Sequence, residues 1–161
     1  FNIKNYILLH FDEKWIYKDY IKKFINIEPT ADQLANFFDK IIVKTNKKLI
    51  ITSGLKMPSL LNDILKKNLN KNIFFFKDLN FLKLEEIIIN SDIMISCHGS
   101  VSHIASAKNI KQIDIIDRSY PYSRWTHHFR NYNSIFRTSF DELSKRIIDK
   151  LWEFYEIFRK I

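Results

Sequence analysis

The sequence predicts an α/β fold: a Rossmann-like, doubly wound parallel sheet of five to six strands with helices on both faces. Three observations predict it. Short apolar runs rich in Ile, Leu and Phe recur along the chain, and most are continuous rather than alternating, as strands covered on both faces require. Helical patterns lie between these runs, and strand–helix alternation implies parallel strands joined by right-handed crossovers. There is no internal repeat, low-complexity tract or Pro/Gly/Ser linker to divide the chain.

The elements follow in order. "YILLH" (6–10) reads as the first strand. Thr30 followed by Gln33 is a capping-box pair, and Leu34, Phe37, Phe38, Ile41 and Ile42 then recur at helical spacing. "KLIIT" (48–52) is the second strand. Pro58 suits a first helical position, with Leu60, Leu61, Ile64 and Leu65 as the buried stripe. "NIFFF" (72–76) is the third strand, and Asn80 can cap a helix carrying Phe81, Leu84, Ile87 and Ile88. "DIMIS" (92–96) precedes a short helix over 100–108, and "QIDII" (112–116) follows it. The stretch 117–133 is polar, aromatic and long for a connection, which favours a functional loop. "SIFR" (134–137) reads as a short sixth strand. Ser139 and Glu142 repeat the capping-box pattern before a long last helix with Leu143, Ile147, Leu151, Tyr155 and Phe158 on one stripe.

Length and composition set bounds. The 161 residues fit one domain, taken as 1–161, and 46% hydrophobic with 15% aromatic content supports a real core. No run approaches the apolar length a membrane span needs. The chain starts at Phe1 without a signal-peptide pattern and reads as a fragment or excised domain. The lone Cys97 makes no internal disulfide, which points to a reducing, cytoplasmic setting. A net charge of +8 fits an anionic partner, but the lysines are scattered rather than gathered into one block. Nucleic acid is therefore not the expected partner.

One of only two glycines stands in "SCHGSVSHIASAKN", residues 96–109, where a strand gives way to a helix. In a doubly wound sheet of order 3-2-1-4-5-6, ligands bind beyond the carboxyl ends of strands one and four, where the order reverses. That places "CHGSVSH" (97–103) opposite Lys14 of "HFDEKWIY" (10–17). A helix start presents unpaired N–H groups and partial positive charge. Gly99 lets the backbone approach closely, and the Ser100 hydroxyl either caps the helix or bonds a phosphate oxygen. His103 adds a donor, and Lys14 adds a full charge. Together they suit a diphosphate. The plainer reading gives Gly99 a turn, Ser100 a cap and His103 a packing role.

These residues also carry a family resemblance. "INSDIMISCHGSVSHIASAKNIKQIDII" resembles the donor-side segment of GT-B glycosyltransferases, most closely the heptosyltransferase-like family 9. Ser91-Asp92 opens the strand, His103 falls on the motif histidine, and Ile104, Ala105, Ser106 and Ala107 match its small-residue helix. "YILLHFDEKW" is similar to the family's first strand, with Lys14 in the place of a phosphate-contacting lysine. Aligned on His103, His98 stands where the family has Asp, Gly99 where it has Ser or Thr, and Ser100 where it has Gly. The "CHG" turn also resembles a glycosyltransferase group with a His-Gly-Ala signature.

The resemblance implies a glycosyltransferase donor domain that binds a nucleotide-diphosphate sugar, with His98, Gly99, Ser100, His103 and Lys14 on the diphosphate. It implies transfer to a saccharide or lipid-linked acceptor in cell-envelope polysaccharide synthesis, and a missing N-terminal domain that carries acceptor and general base. The chain alone is then expected to be inactive, and no catalytic residue is named. Further binding candidates are Ser53 and Gly54 after the second strand, Lys77 and Asp78 after the third, and Arg124 in the long loop. Tyr120, Tyr122 and Trp125 either stack on a sugar or base or cover the sheet edge.

Cys97, His98, His103, His127 and His128 match no zinc spacing, so no metal is expected, and no cofactor. A Cys97–His98 nucleophile pair is disfavoured because neighbours at a strand end point apart. The last helix combines Trp152, Phe154, Tyr155 and Phe158 with Lys145, Arg146, Lys150, Arg159 and Lys160. Such a face either contacts the inner membrane surface peripherally or forms a packing stripe beside a solvated basic face. The alternatives to a donor domain are a non-catalytic Rossmann- or flavodoxin-like binding module and a basic nucleic-acid binder.

Overall fold

The computed structural model describes residues 3–16, 28–66 and 70–159, without the side chains of 157–159. Tyr17, and the side chains of Phe158, Arg159 and Lys160 expected on the last helix, lie outside the described residues. One parallel six-stranded sheet runs in the order β3-β2-β1-β4-β5-β6. Its strands are β1 (Tyr6–His10), β2 (Leu49–Ser53), β3 (Ile73–Lys77), β4 (Ser91–Cys97), β5 (Lys111–Ile116) and β6 (Tyr132–Phe136). Helices α1 (Ala31–Thr45), α2 (Ser59–Leu65) and α6 (Phe140–Arg159) pack on one face, and α3 (Phe81–Ile89) and α4 (Ser100–Ala107) on the other. A short α5 (Ser123–Thr126) lies within the long polar connection.

The continuous apolar runs follow from this double covering. In β1, Ile7 and Leu9 enter the core beneath α1 and α6, while Tyr6 and Leu8 enter the one beneath α3 and α4. The chain moves outward from β1 to β2 and β3, then crosses by α3 to place β4 on β1's other side. The order reverses between β1 and β4, which opens the crevice where a ligand sits in this class of sheet.

The capping box at Thr30 forms as read: Gln33 N donates to Thr30 Oγ1 at 3.2 Å, and Thr30 N to Gln33 Oε1 at 2.9 Å. Thr30→Ala is expected to lower stability by about 1 kcal/mol, a fall of roughly 2–4 °C in melting temperature readable by thermal denaturation. Asn80 caps α3, accepting from Lys83 N at 3.0 Å.

Several details differ from the sequence reading, among them Leu65, expected on the buried stripe of α2 but exposed at its end. Pro58 sits one residue before α2 rather than at its first position. The α3 stripe is Leu84, Ile87 and Ile88; Phe81 is 60% exposed, because the start of α3 lies beside the edge strand β3, where no further strand covers it. Glu142 pairs its carboxylate with Arg146 one turn along α6.

On α6 the buried stripe is Phe140, Leu143, Ile147 and Leu151. Three of its aromatic residues, Trp152, Phe154 and Tyr155, are engaged within the chain. Lys44 Nζ lies 3.8 Å over the Trp152 ring, Lys111 Nζ lies 5.9 Å over Phe154, and Tyr155 OH donates to Asp92 at 3.4 Å. This is the packing-stripe arrangement. No described helix is long and apolar enough to cross a membrane.

Candidate functional site

The site is built from the loops that leave β1 and β4. After β1, Asp12 starts a short 3-10 turn, Glu13–Trp15, by accepting Lys14 N on Oδ1 at 3.1 Å. Its other oxygen takes Lys14 Nζ at 3.1 Å. Trp15 locks the turn down: its ring stacks on Phe11, centroids 5.2 Å apart, and Nε1 donates to His10 O at 2.8 Å. Burial pulls the Lys14 ammonium's pKa down, but the charge and hydrogen bond of Asp12, with weaker pulls from Cys97 and Glu13, raise it overall. Lys14 is therefore a fixed cation at neutral pH.

Across the crevice, Gly99 occupies the N-cap of α4 with φ 178° and ψ −163°. That is extended backbone open to any residue, so the glycine serves no left-handed turn. It serves close approach: a Cβ there would lie 2.5 Å from Lys14 Nζ. The expected juxtaposition of Lys14 with this turn is what the fold produces.

Ser100 is corrected in one respect. It is the first helical residue and exposed, so it is not the cap. The local hydrogen bonding belongs to Ser102, whose Oγ accepts Gly99 N at 3.3 Å while Ser102 N donates to Gly99 O at 3.0 Å. With those amides used inside the turn, Ser100 N and Val101 N are the donors a helix start leaves for a ligand.

Beneath the turn lies a hub that the sequence reading missed. Asp114, fully buried on β5, accepts His98 Nδ1 at 2.5 Å, Ser102 Oγ at 2.8 Å and Tyr132 OH at 3.1 Å. Ser96 Oγ approaches at 3.5 Å. A carboxylate only accepts, so His98 carries its proton on Nδ1 and presents Nε2 outward. The His98 ring is held edge-on between His103 and Tyr122, at centroid distances of 5.5 and 4.8 Å. His103 is exposed, and its pKa is lowered by partial desolvation and then by the neighbouring His98 charge, with Asp114 opposing and His128 adding. The net effect favours the neutral imidazole. The signal for Asp114 was present: a carboxylate inside an apolar parallel strand must be paired.

The register continues this polar row across the sheet. Thr52, His10, Ser96, Asp114 and Ser134 are successive cross-strand partners. His10 Nδ1 bonds Thr52 Oγ1 at 2.9 Å, and Nε2 lies 3.8 Å from Asp12. Burial lowers the His10 pKa against the opposing pull of Asp12.

The remaining candidates spread along the same sheet edge. Ser53 is buried at the end of β2, and Gly54 has open space where a Cβ would stand. Gly54 lines a hollow of about 710 Å³ with Glu13, Met57 and Asn62, next to Lys14's turn. Lys77 and Asp78 are exposed at the end of β3, two strands out from β1, and Asp78 is left-handed with φ 50°. Arg124 is exposed on α5. Tyr122 covers His98, while Tyr120 and Trp125 are about half exposed. Cys97 is buried on the opposite face. Burial pushes its thiol far up, against the pull of Arg137, so it is no nucleophile beside His98.

No family model matches the chain, and no curated protein matches it. Solved structures do. The UDP-GlcNAc 2-epimerase of Methanocaldococcus jannaschii, solved with UDP-GlcNAc and UDP, is 15% identical with a TM-score of 0.64, over 93% of this chain and 39% of that one. E. coli ADP-heptose lps heptosyltransferase II is 13% identical with a TM-score of 0.62, over 95% of this chain and 48% of that one. The wall teichoic acid polymerase TagF is 16% identical with a TM-score of 0.50, over 96% of this chain and 37% of that one. The chain thus has a fold of the GT-B glycosyltransferase type and spans less than half the length of these proteins. At these identities the likeness is one of fold.

Proposed function

We propose that this chain is the donor-binding domain of a GT-B glycosyltransferase and holds the diphosphate of a nucleotide sugar between Lys14 and the start of α4. One observation carries the reading: a fixed ammonium lies against Gly99 at the positive end of a helix, on the switch point of the sheet. Two like-signed features side by side favour an anion between them, beyond the Asp12 carboxylate that pairs with Lys14 Nζ at 3.1 Å. A diphosphate accepts from Lys14 Nζ, Ser100 N, Val101 N and the Ser100 hydroxyl, with the His98 and His103 rings at its flank. The fold neighbour solved with UDP-GlcNAc and UDP supports this ligand class.

Gly54 lines the hollow next to Lys14's turn and, with Ser53 before it, takes the nucleoside side; Lys77, Asp78 and Arg124 stand at the rim. The acceptor, saccharide or lipid-linked, and the base that deprotonates it are assigned to parts of the enzyme beyond these residues, since this chain covers less than half of each neighbour. The role here is to stabilise charge on the leaving diphosphate. Cell-envelope polysaccharide synthesis on the cytoplasmic side is the setting that fits such a donor.

The test is a thermal-shift panel of UDP, GDP, ADP, CMP and their sugar conjugates. One nucleotide diphosphate should raise the melting temperature by roughly 5–10 °C at about a hundredfold excess over Kd. Ser100→Trp, at an exposed position, should leave the unliganded melting temperature unchanged and remove that shift. A flat panel would favour the non-catalytic binding module, and a shift that survives Ser100→Trp would overturn the placing of the diphosphate at the start of α4.

A further inference from the structure

Arg137 directly follows β6 and is 6% exposed. Its Nη1 donates to the Lys14 carbonyl and its Nη2 to Cys97 Sγ at 3.0 Å. One guanidinium thus joins the segment after β1, the end of β4 and the end of β6 at the floor of the crevice. Both acceptors are neutral, since burial keeps the Cys97 thiol protonated. Nε has no hydrogen-bond partner, and among the described residues no carboxylate pairs with this cation. The nearby carboxylates are engaged elsewhere, Asp12 with Lys14 and Asp114 with His98.

Burying a cation with a vacant N–H and no counter-charge opposes folding. An aliphatic side chain would fill the same space without that cost. A local choice that works against stability beside a binding crevice is the kind of exception that function explains. Arg137 grips Lys14 by its main-chain carbonyl, a hold that adds to the Asp12 contacts without placing a further negative charge on the ammonium. A planar fork holds a carbonyl and a thiol in fixed directions; the rotating donors of an ammonium fix no such geometry.

From this we infer that Arg137 is the positioning residue of the anion site, holding the Lys14 segment so that its ammonium faces Gly99. The inference rests on the diphosphate reading above and deepens it. It adds a residue that touches no ligand and acts through Lys14.

The experiment titrates the chain with inorganic pyrophosphate by calorimetry, well below the melting temperature, and records unliganded melts alongside. The variants are Arg137→Met, Arg137→Lys, Lys14→Met and the double variant Arg137→Met/Lys14→Met. Arg137→Met should weaken pyrophosphate about tenfold or more without lowering the unliganded melting temperature. Arg137→Lys should lose a similar factor, and serves the comparison alone if Arg137→Met does not fold. The double variant should bind no more weakly than Lys14→Met, because both changes remove one grip. Unchanged affinity with a lower melting temperature would make Arg137 a plain staple and overturn the inference, as would additive losses. Failure of the unmodified chain to bind pyrophosphate, or full binding by Lys14→Met, would instead bring down the diphosphate reading, and this inference with it.

Discussion

Gly99→Ala should leave the protein folded and cost it about tenfold to a hundredfold in affinity for pyrophosphate or the matching nucleotide diphosphate. The backbone at Gly99 is extended, so alanine meets no conformational strain there. The new methyl instead meets the Lys14 ammonium, 2.5 Å away, with Cε at 3.7 Å and the Cys97 carbonyl at 3.8 Å. The atom that must move is the tip of a flexible side chain, so the fold yields at small cost. The ammonium swings out of the crevice, and a charge-assisted contact worth about 1.5–3 kcal/mol goes with it. Part of the Asp12 ion pair is lost too, but Asp12 keeps the Lys14 amide at 3.1 Å, so the melting temperature should fall by only a few degrees. Calorimetric titration of Gly99→Ala beside Lys14→Met reads the effect, and the two should match. Wild-type affinity in Gly99→Ala would mean that Lys14 does not face the ligand.

Asp114→Ala should be the most destabilising single change in the site, by about 3–5 kcal/mol in denaturant unfolding, or roughly 10 °C in melting temperature. The carboxylate is fully buried and is the shared acceptor for His98, Ser102 and Tyr132, with Ser96 at the margin. Removing it leaves several donors without an acceptor in a space that water does not readily fill, and each such group costs about 1–3 kcal/mol. Tyr132→Phe removes one donor and leaves the acceptor otherwise satisfied, so it should cost only about 1 kcal/mol. The ratio between the two variants is the diagnostic. Equal, small losses would show that the hub does not organise the interior. Because Ser102 also receives the Gly99 amide, Asp114→Ala should loosen the start of α4 and weaken anion binding with it.

Much of this molecule is legible along the chain because its elements are local. Five apolar runs became five strands, since a parallel strand buried on both faces leaves a short, continuous signature in "YILLH" or "DIMIS"; the sixth, read at 134–137, starts two residues earlier and ends at Phe136. Capping at Thr30 and Asn80 depends on residues three apart, so pattern alone locates it. The placing of Lys14 opposite Gly99 followed from assuming the doubly wound order, which the sheet then shows.

Other features are decided only when the strands assemble. Asp114 and His98 lie sixteen residues apart and meet because β4 and β5 are in register. Arg137 is 123 residues from Lys14, and its role exists only where β6, β4 and the β1 loop converge. The cap of α4 moved from Ser100 to Gly99 because Ser102, drawn down to Asp114, already holds the Gly99 amide. Local chemistry sets which strands and helices form, through hydrophobic period and caps. Tertiary packing sets which charges are buried together, because the partners of a buried polar group are chosen by register and crossover rather than by nearness in sequence.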